Sequence, residues 1–243
     1  CDVYMSADYM VIEHMLIPDH ASWYVPFAAN EMAIVYTPKS RYADEITHEN
    51  WHEIMLRPDV SIGRSDPDHD PCGVRAVFTA QLAGILLNDS EITSGLLNKD
   101  LQNIRPKETD LLALLETGHV DYILLYRSVA MQHGLNYVRL PDELSLGDHS
   151  MAEWYARAET VTLGATPGST ITEIGQPMVY GLTIPHKARN IPIAEAFVLF
   201  VLNPEKGGKI LLELGQPPVW AGLSSYYDDL PEIIRSGLAV DQT

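Results

Sequence analysis

Residues 65–73 read SDPDHDPCG and bring three aspartates, a histidine and a cysteine into one turn-rich segment. A hard divalent cation is one partner such a set suggests. Asp66, Asp68 and Asp70 stand at positions 1, 3 and 5 of a would-be calcium loop, but that loop needs Gly at position 6 and Glu at position 12. Pro71 and Val77 occupy those places. A looser cation site built from Asp66, Asp68, His69 and Asp70 stays open as an alternative. The other partner is an anion. Asp70 followed by Pro71 is a helix start, with Asp at the N-cap and Pro at the first helical position. The backbone N–H groups of Cys72, Gly73 and Val74 would then face outward at the positive end of the helix dipole, with Gly73 allowing close approach. The same residues would also serve a plain helix cap.

Two further stretches could carry chemistry. HENWH at 48–52 fits H-E-x-x-H, in which two histidines on one helical face hold zinc and the glutamate activates water. Its context is poor for that use. The match falls in the first turn after Thr47, where a helix N-terminus disfavours a second positive charge, and Arg57-Pro58 ends the helix after roughly ten residues. Trp51, Ile54 and Met55 fit a helix with its apolar face inward. IRPKETD at 104–110 sets Arg105, Lys107 and Glu108 at another helix start, which by itself is equally well read as a solvated cap.

The elements that must hold these residues follow from hydrophobic period and punctuation. Strands are expected at 1–5, within the long apolar run 23–38, which could cross between two lobes, and at 60–66, 120–126, 135–141 and 178–185. Helices are expected at 7–15, from Thr47 through Leu56, from Gly73 to Leu87, at 107–118 with Gly118 as C-cap, and at 127–134 with Gly134 as C-cap. Another is possible within 144–155, two more lie within 191–215, and a hairpin turns at Pro167-Gly168. Residues 88–104 give a weak signal and are left partly irregular. Strands alternating with helices predict an α/β fold with mostly parallel sheets flanked by helices.

Composition narrows the function classes. The 243 residues are 46% hydrophobic and 20% charged, enough for a full core in one large domain or two lobes. No apolar run reaches the roughly 18–20 residues of a membrane span. Lys and Arg total 16 against 33 Asp and Glu, a formal net charge of −17. Nucleic acid and anionic membranes are thereby disfavoured as partners, because no basic cluster is present to displace counterions. A small anion is not disfavoured, since local N–H dipoles act at short range and distant charges are screened. Two cysteines, Cys1 and Cys72, say little about redox compartment. The start CDVYMSADYM enters in mid-pattern, which leads to the expectation of an upstream segment.

Taken jointly, SADY at 6–9, the 23–46 run, NWHEIMLRPDV at 50–60, DPCGVR at 70–75, IRPKETDLLALLETG at 104–118, DYILLYRSVAMQHG at 121–134, PMVYGLTIP at 177–185 and ELGQPPV at 213–219 carry a resemblance. In this collinear order they resemble the type II periplasmic solute-binding proteins, and within them the archaeal-type molybdate/tungstate-binding proteins of ABC importers. The resemblance implies a two-lobed fold, with lobe 1 formed by 1–32 and 181–243 and lobe 2 by 33–180. It implies capture of molybdate or tungstate without chemical turnover or cofactor, delivery to an ABC permease, an extracytoplasmic location and a monomeric state. It also makes the 50–60 region an ordinary helix rather than a zinc site.

The family's two metal-approaching carboxylates match Asp70 and Glu108, and a ligand-contacting tyrosine matches Tyr126. Ser6, Cys72 and Gly73 are neighbours able to offer donors. Two carboxylates beside a dianion repel it unless they bond to its central atom. Molybdenum(VI) and tungsten(VI) can expand to six-coordination with hard oxygen donors, whereas sulfur and phosphorus in their oxyanions do not. The same acids would thus exclude sulfate and phosphate. This chain departs from the family in three places. An upstream strand and helix bearing serine donors have no counterpart, so the first lobe is expected to be incomplete. The 88–103 connection is short, and VRAVFT replaces a Tyr-Arg-Ser pattern while keeping Arg75.

Overall fold

The computed structural model describes residues 1–240 except 165, 220, 221 and 223. In chain order the strands are β1 (Tyr4–Ser6), β2 (Val25–Ala29), β3 (Met32–Tyr36), β4 (Ile62–Gly63), β5 (Tyr122–Tyr126), β6 (Asn136–Arg139), β7 (Glu159–Leu163), β8 (Thr170–Ile174) and β9 (Val179–Thr183). The helices are α1 (Tyr9–Met15), α2 (Trp51–Met55), α3 (Pro71–Leu86), α4 (Ser90–Asn98), α5 (Glu108–Glu116), α6 (Arg127–Gln132), α7 (Asp142–Ser145), α8 (Ala152–Tyr155), α9 (Ile191–Leu202), α10 (Gly207–Glu213) and α11 (Glu232–Val240). No helix among the described residues is long and apolar enough to cross a membrane.

The chain forms two compact units, Cys1–Asn30 with Met178–Thr243, and Glu31–Pro177. The apolar run 23–38 is two strands rather than one. Its first half pairs within the first unit, where Ala29 N–H donates to Pro217 O and Asn30 N–H to Met178 O. From Met32 onward it pairs with β5 and β6 of the second unit.

In the first unit the sheet order is β1-β9-β2. Trp23, Val25, Leu182, Val198 and Ile234 form part of its buried core. In the second unit the order is β4-β5-β3-β6, and β3 and β5 are almost wholly buried. Their apolar runs suit a strand covered on both faces. The hairpin of β7 and β8 stands as a separate two-stranded sheet turning through Gly168 at φ +82°, and Ala165 of the hairpin lies outside the described residues.

The α/β arrangement with helix-flanked sheets is present, but the expectation of mostly parallel sheets is corrected. Among the described strands, β4 and β5 alone pair parallel in the second unit, and both pairings in the first are antiparallel. The cause is the same in both sheets. Strands joined through helices do run in one sense: β1 with β2, and β4, β5 and β6 together. In each sheet, however, one strand that crosses from the other unit, β9 or β3, inserts with the opposite sense and takes up most of the hydrogen bonds.

Two local expectations also change. Asn50, not Thr47, precedes α2, which is five residues long. Thr47 Oγ1 instead accepts the Glu49 and Asn50 N–H groups at 3.3 and 3.4 Å, one turn earlier. The weakly patterned 88–104 segment contains the nine-residue helix α4, with Asp89 accepting the Glu91 N–H at 2.9 Å.

Candidate functional site

The site residues of the second unit are assembled by a short piece of backbone pairing. Beyond β4 the chain runs beside the segment that precedes α5. Ser65 forms a parallel bridge with Arg105, Arg105 N–H donates to Arg64 O at 3.2 Å, and Asp66 N–H donates to Arg105 O at 2.8 Å. Two helix starts far apart in sequence, Pro71 and Glu108, are thereby brought side by side. Ligand sites in α/β sheets commonly form where loops leave the carboxyl ends of strands and enter helices, and β4 and β5 end here.

Asp70 is the tie between the two helices. Its Oδ1 accepts the Cys72 N–H at 2.9 Å, capping α3, and its Oδ2 accepts the Glu108 N–H at 2.5 Å, capping α5. The residue preceding α5 is Lys107, whose side chain makes no capping hydrogen bond and has no acceptor to offer. Asp70 supplies the acceptor from a distance of 38 residues in the chain. It is 8% exposed, and each carboxylate oxygen retains a further lone pair.

Glu108 opens α5 with its Oε2 buried and without a hydrogen-bond partner. Burial raises its carboxyl pKa above the ordinary range, and the Asp70 charge raises it further, outweighing the Cys72 thiol hydrogen bond and the Arg75 and Lys107 charges that lower it. Cys72 is fully buried, its Sγ 3.9 Å from Leu124 O. Burial pushes its thiol well up, with Glu108 and Asp70 acting in the same direction, so it is a neutral packing group and not a thiolate. Tyr126, at the end of β5, accepts a hydrogen bond from Arg75 Nη1 at 3.1 Å. Burial, the largest cause, holds its hydroxyl far above the usual tyrosine pKa, with Cys72, Glu108 and Asp70 adding to the rise and Arg75 opposing it. These groups form one cluster of two carboxylates, a thiol, a phenol and a guanidinium.

Two sequence-based expectations change here. The amides of Cys72, Gly73 and Val74 are not a free anion cradle. The first is taken by Asp70 Oδ1, and the other two donate to the Asp70 carbonyl at 2.9 and 3.4 Å. Gly73 is needed for packing rather than for ligand approach, because a Cβ there would lie 2.5–2.6 Å from the backbone of Ser65, Asp66 and Pro67. Ser6 ends β1 in the other unit, where its Oγ accepts the Asp8 N–H at 3.1 Å.

The cation readings fail on geometry. Asp66 accepts the Asp68 N–H and faces His69 Nδ1 at 3.0 Å, while Asp68 Oδ1 accepts the Leu163 N–H at 2.9 Å. The Asp66, Asp68 and His69 side chains are thus tied to one another and to the Leu163 amide rather than converging on one point. In the 48–52 motif, His48 and Glu49 precede α2 and are exposed, so they share no helical face with His52. No group of three His, Cys, Asp or Glu side chains among the described residues could hold a metal ion. Two neighbours not legible in the sequence are Ser65, buried beside the Cys72 thiol, and Arg75, which faces this cluster.

Residues 1–211 match the family described as bacterial extracellular solute-binding protein. An uncharacterised solute-binding protein of Petrotoga mobilis is 50% identical over 241 residues, covering 97% of this chain and 75% of that protein. The molybdate/tungstate-binding protein WtpA of Thermococcus kodakarensis is 42% identical over 261 residues, covering 96% of this chain and 70% of that one. Among solved structures, the periplasmic molybdate-binding protein of Azotobacter vinelandii superposes with a TM-score of 0.54 at 14% identity, covering 88% of this chain and 77% of that one. At that identity the likeness shows the fold alone.

Proposed function

Because this chain belongs to the bacterial extracellular solute-binding proteins, which bind a solute and are not enzymes, we propose that it captures molybdate or tungstate outside the cytoplasm for an ABC-type importer. Asp70 and Glu108 ligate the metal at the centre of the oxyanion, and Tyr126 donates to an oxo group. Cys72 and Gly73 contribute by shaping the ground on which Asp70 stands.

One observation carries this reading: the Asp70 carboxylate is tied to the start of α5 by the 2.5 Å bond from the Glu108 backbone N–H to Asp70 Oδ2, and the Oε2 of Glu108 itself is left buried without a partner. Buried polar atoms are ordinarily paired. An acceptor-only oxygen beside a second carboxylate calls for a partner that takes electron density, and a six-coordinating metal centre does so. The amide bonds to Asp70 fix its carboxylate before any ligand arrives, which reduces the ordering cost of binding. Capture outside the cytoplasm is supported by the family, and the choice of ligand by the name of the Thermococcus relative.

Titration calorimetry with molybdate, tungstate, sulfate and phosphate tests the reading. Tungstate and molybdate are expected to bind and the other two to fail; sulfate bound as tightly as tungstate defeats ligation by carboxylates. Glu108→Gln is expected to weaken tungstate binding at least tenfold, the scale of about 1.4 kcal/mol for one lost ligand contact.

A further inference from the structure

Arg75 faces the cluster from the second turn of α3 without joining an ion pair. Its Nη1 donates to Tyr126 OH at 3.1 Å, and its guanidinium carbon lies 5.9 Å from the centre of the Tyr126 ring. Among the described residues it forms no salt bridge within 4.0 Å, although Asp70 and Glu108 are close enough for its charge to bear on the same cluster. Arginine has five N–H donors and no acceptor, so most of its donor capacity is uncommitted.

The direction of the Arg75–Tyr126 bond has a consequence for the tyrosine. A guanidinium can only donate, so it takes a lone pair of the phenol oxygen. The hydroxyl proton of Tyr126 must then serve a third partner. With the phenol held on one side by Arg75 and the ring buried, the hydroxyl becomes a committed donor rather than a group free to accept. Donation from a cation also polarises the hydroxyl, strengthening its onward bond.

Charge gives a second reason for Arg75. A dianion beside two carboxylates concentrates up to four negative charges, and metal ligation relieves repulsion only for the atoms it bonds. The Arg75 charge bears on Glu108, Cys72 and Tyr126 alike.

We propose that Arg75 is a positioning and charge-balancing residue for oxyanion capture: it fixes Tyr126 OH as a donor to an oxo group and supplies the positive charge that lets two carboxylates and a dianion share one site. This rests on the function proposed above and adds to it a residue outside the ligating set.

The test is tungstate calorimetry on the wild type, Arg75→Gln, Arg75→Lys, Tyr126→Phe and the double variant Arg75→Gln/Tyr126→Phe, each first checked for an intact thermal transition. Arg75→Gln is expected to weaken tungstate binding by about tenfold to a hundredfold, the range of a lost charge-assisted hydrogen bond. Arg75→Lys, which keeps a charge and a donor, should recover most of the loss. The double variant should bind clearly more tightly than the product of the two single losses predicts, because the residues act as one unit. A glutamine variant that does not fold is replaced by Arg75→Met, read in the same way. Wild-type binding with an unchanged Arg75→Gln affinity, an absence of rescue by lysine, or fully multiplicative losses overturns the role of Arg75 alone. Failure of the wild type to bind either tungstate or molybdate overturns the proposed function, and this inference with it.

Discussion

Glu108 carries its carboxyl group where burial opposes ionisation and the neighbouring Asp70 charge opposes it further. A carboxyl whose folded-state pKa lies above its unfolded value of about 4.3 binds protons more readily in the native state. That contribution to stability is fully present below the unfolded value and is lost as pH rises through the folded one. Above the unfolded value, this carboxyl therefore lowers the stability of the unliganded protein. Glu108→Gln, which leaves the backbone N–H to Asp70 intact, should melt at a higher temperature than the wild type at pH 7, and the gain should vanish near pH 4. Calorimetric melting at the two pH values checks both halves; a variant less stable at pH 7 would show that the charge is compensated within the apo fold. The same substitution is expected to weaken tungstate binding, so stability and affinity move in opposite directions at this position. The residue types at 70, 108 and 126 could be picked out from the sequence by resemblance. The reason for Gly73 could not, because the backbone it packs on, Ser65 to Pro67, reaches it only through tertiary folding.

At the scale of elements, most helices and strands followed from period and punctuation, with errors where tertiary pairing overrode the local signal. Helix α4 gives a weak sequence signal because Gly95 and two serines dilute its apolar stripe, although Asp89 marks its start. Sheet polarity is not legible from alternation, which describes chain connectivity and says nothing of a crossing strand inserted between neighbours. No local pattern could show that α3 and α5 share one cap, since Asp70 and Glu108 are 38 residues apart. That sharing makes a stability prediction. Asp70→Asn keeps one acceptor oxygen and should lose one of the two caps, costing about 1–2 kcal/mol, whereas Asp70→Ala loses both and should cost roughly 2–4 kcal/mol. Urea unfolding of the three proteins measures the difference. Equal losses for Asn and Ala would mean that only one of the two helices depends on this carboxylate.

For the whole molecule, the −17 net charge and the cluster of Asp70, Glu108, Cys72, Arg75 and Tyr126 make opposite demands on an anionic ligand. The long-range term is screened within about 8–10 Å at ordinary ionic strength, leaving short-range bonding to decide. A ligand bound only by the native state stabilises it by RT ln(1 + [L]/Kd), about 2.7 kcal/mol at a hundredfold excess over Kd. Asp70, Glu108 and Tyr126 all belong to the unit Glu31–Pro177, a body of roughly 150 residues for which 1 kcal/mol moves the melting temperature by about 2–4 °C. Tungstate at a hundred times its Kd should thus raise the transition of that unit by about 5–10 °C, and sulfate at the same concentration should leave it in place. In Glu108→Gln a tenfold weaker Kd reduces the stabilisation at that tungstate concentration to about 1.4 kcal/mol, so its ligand-induced shift should be about half or less. Scanning calorimetry with each anion measures these shifts. Equal shifts with tungstate and sulfate would mean that the anion is held by charge and hydrogen bonds alone, because only a centre able to accept carboxylate ligands distinguishes the two.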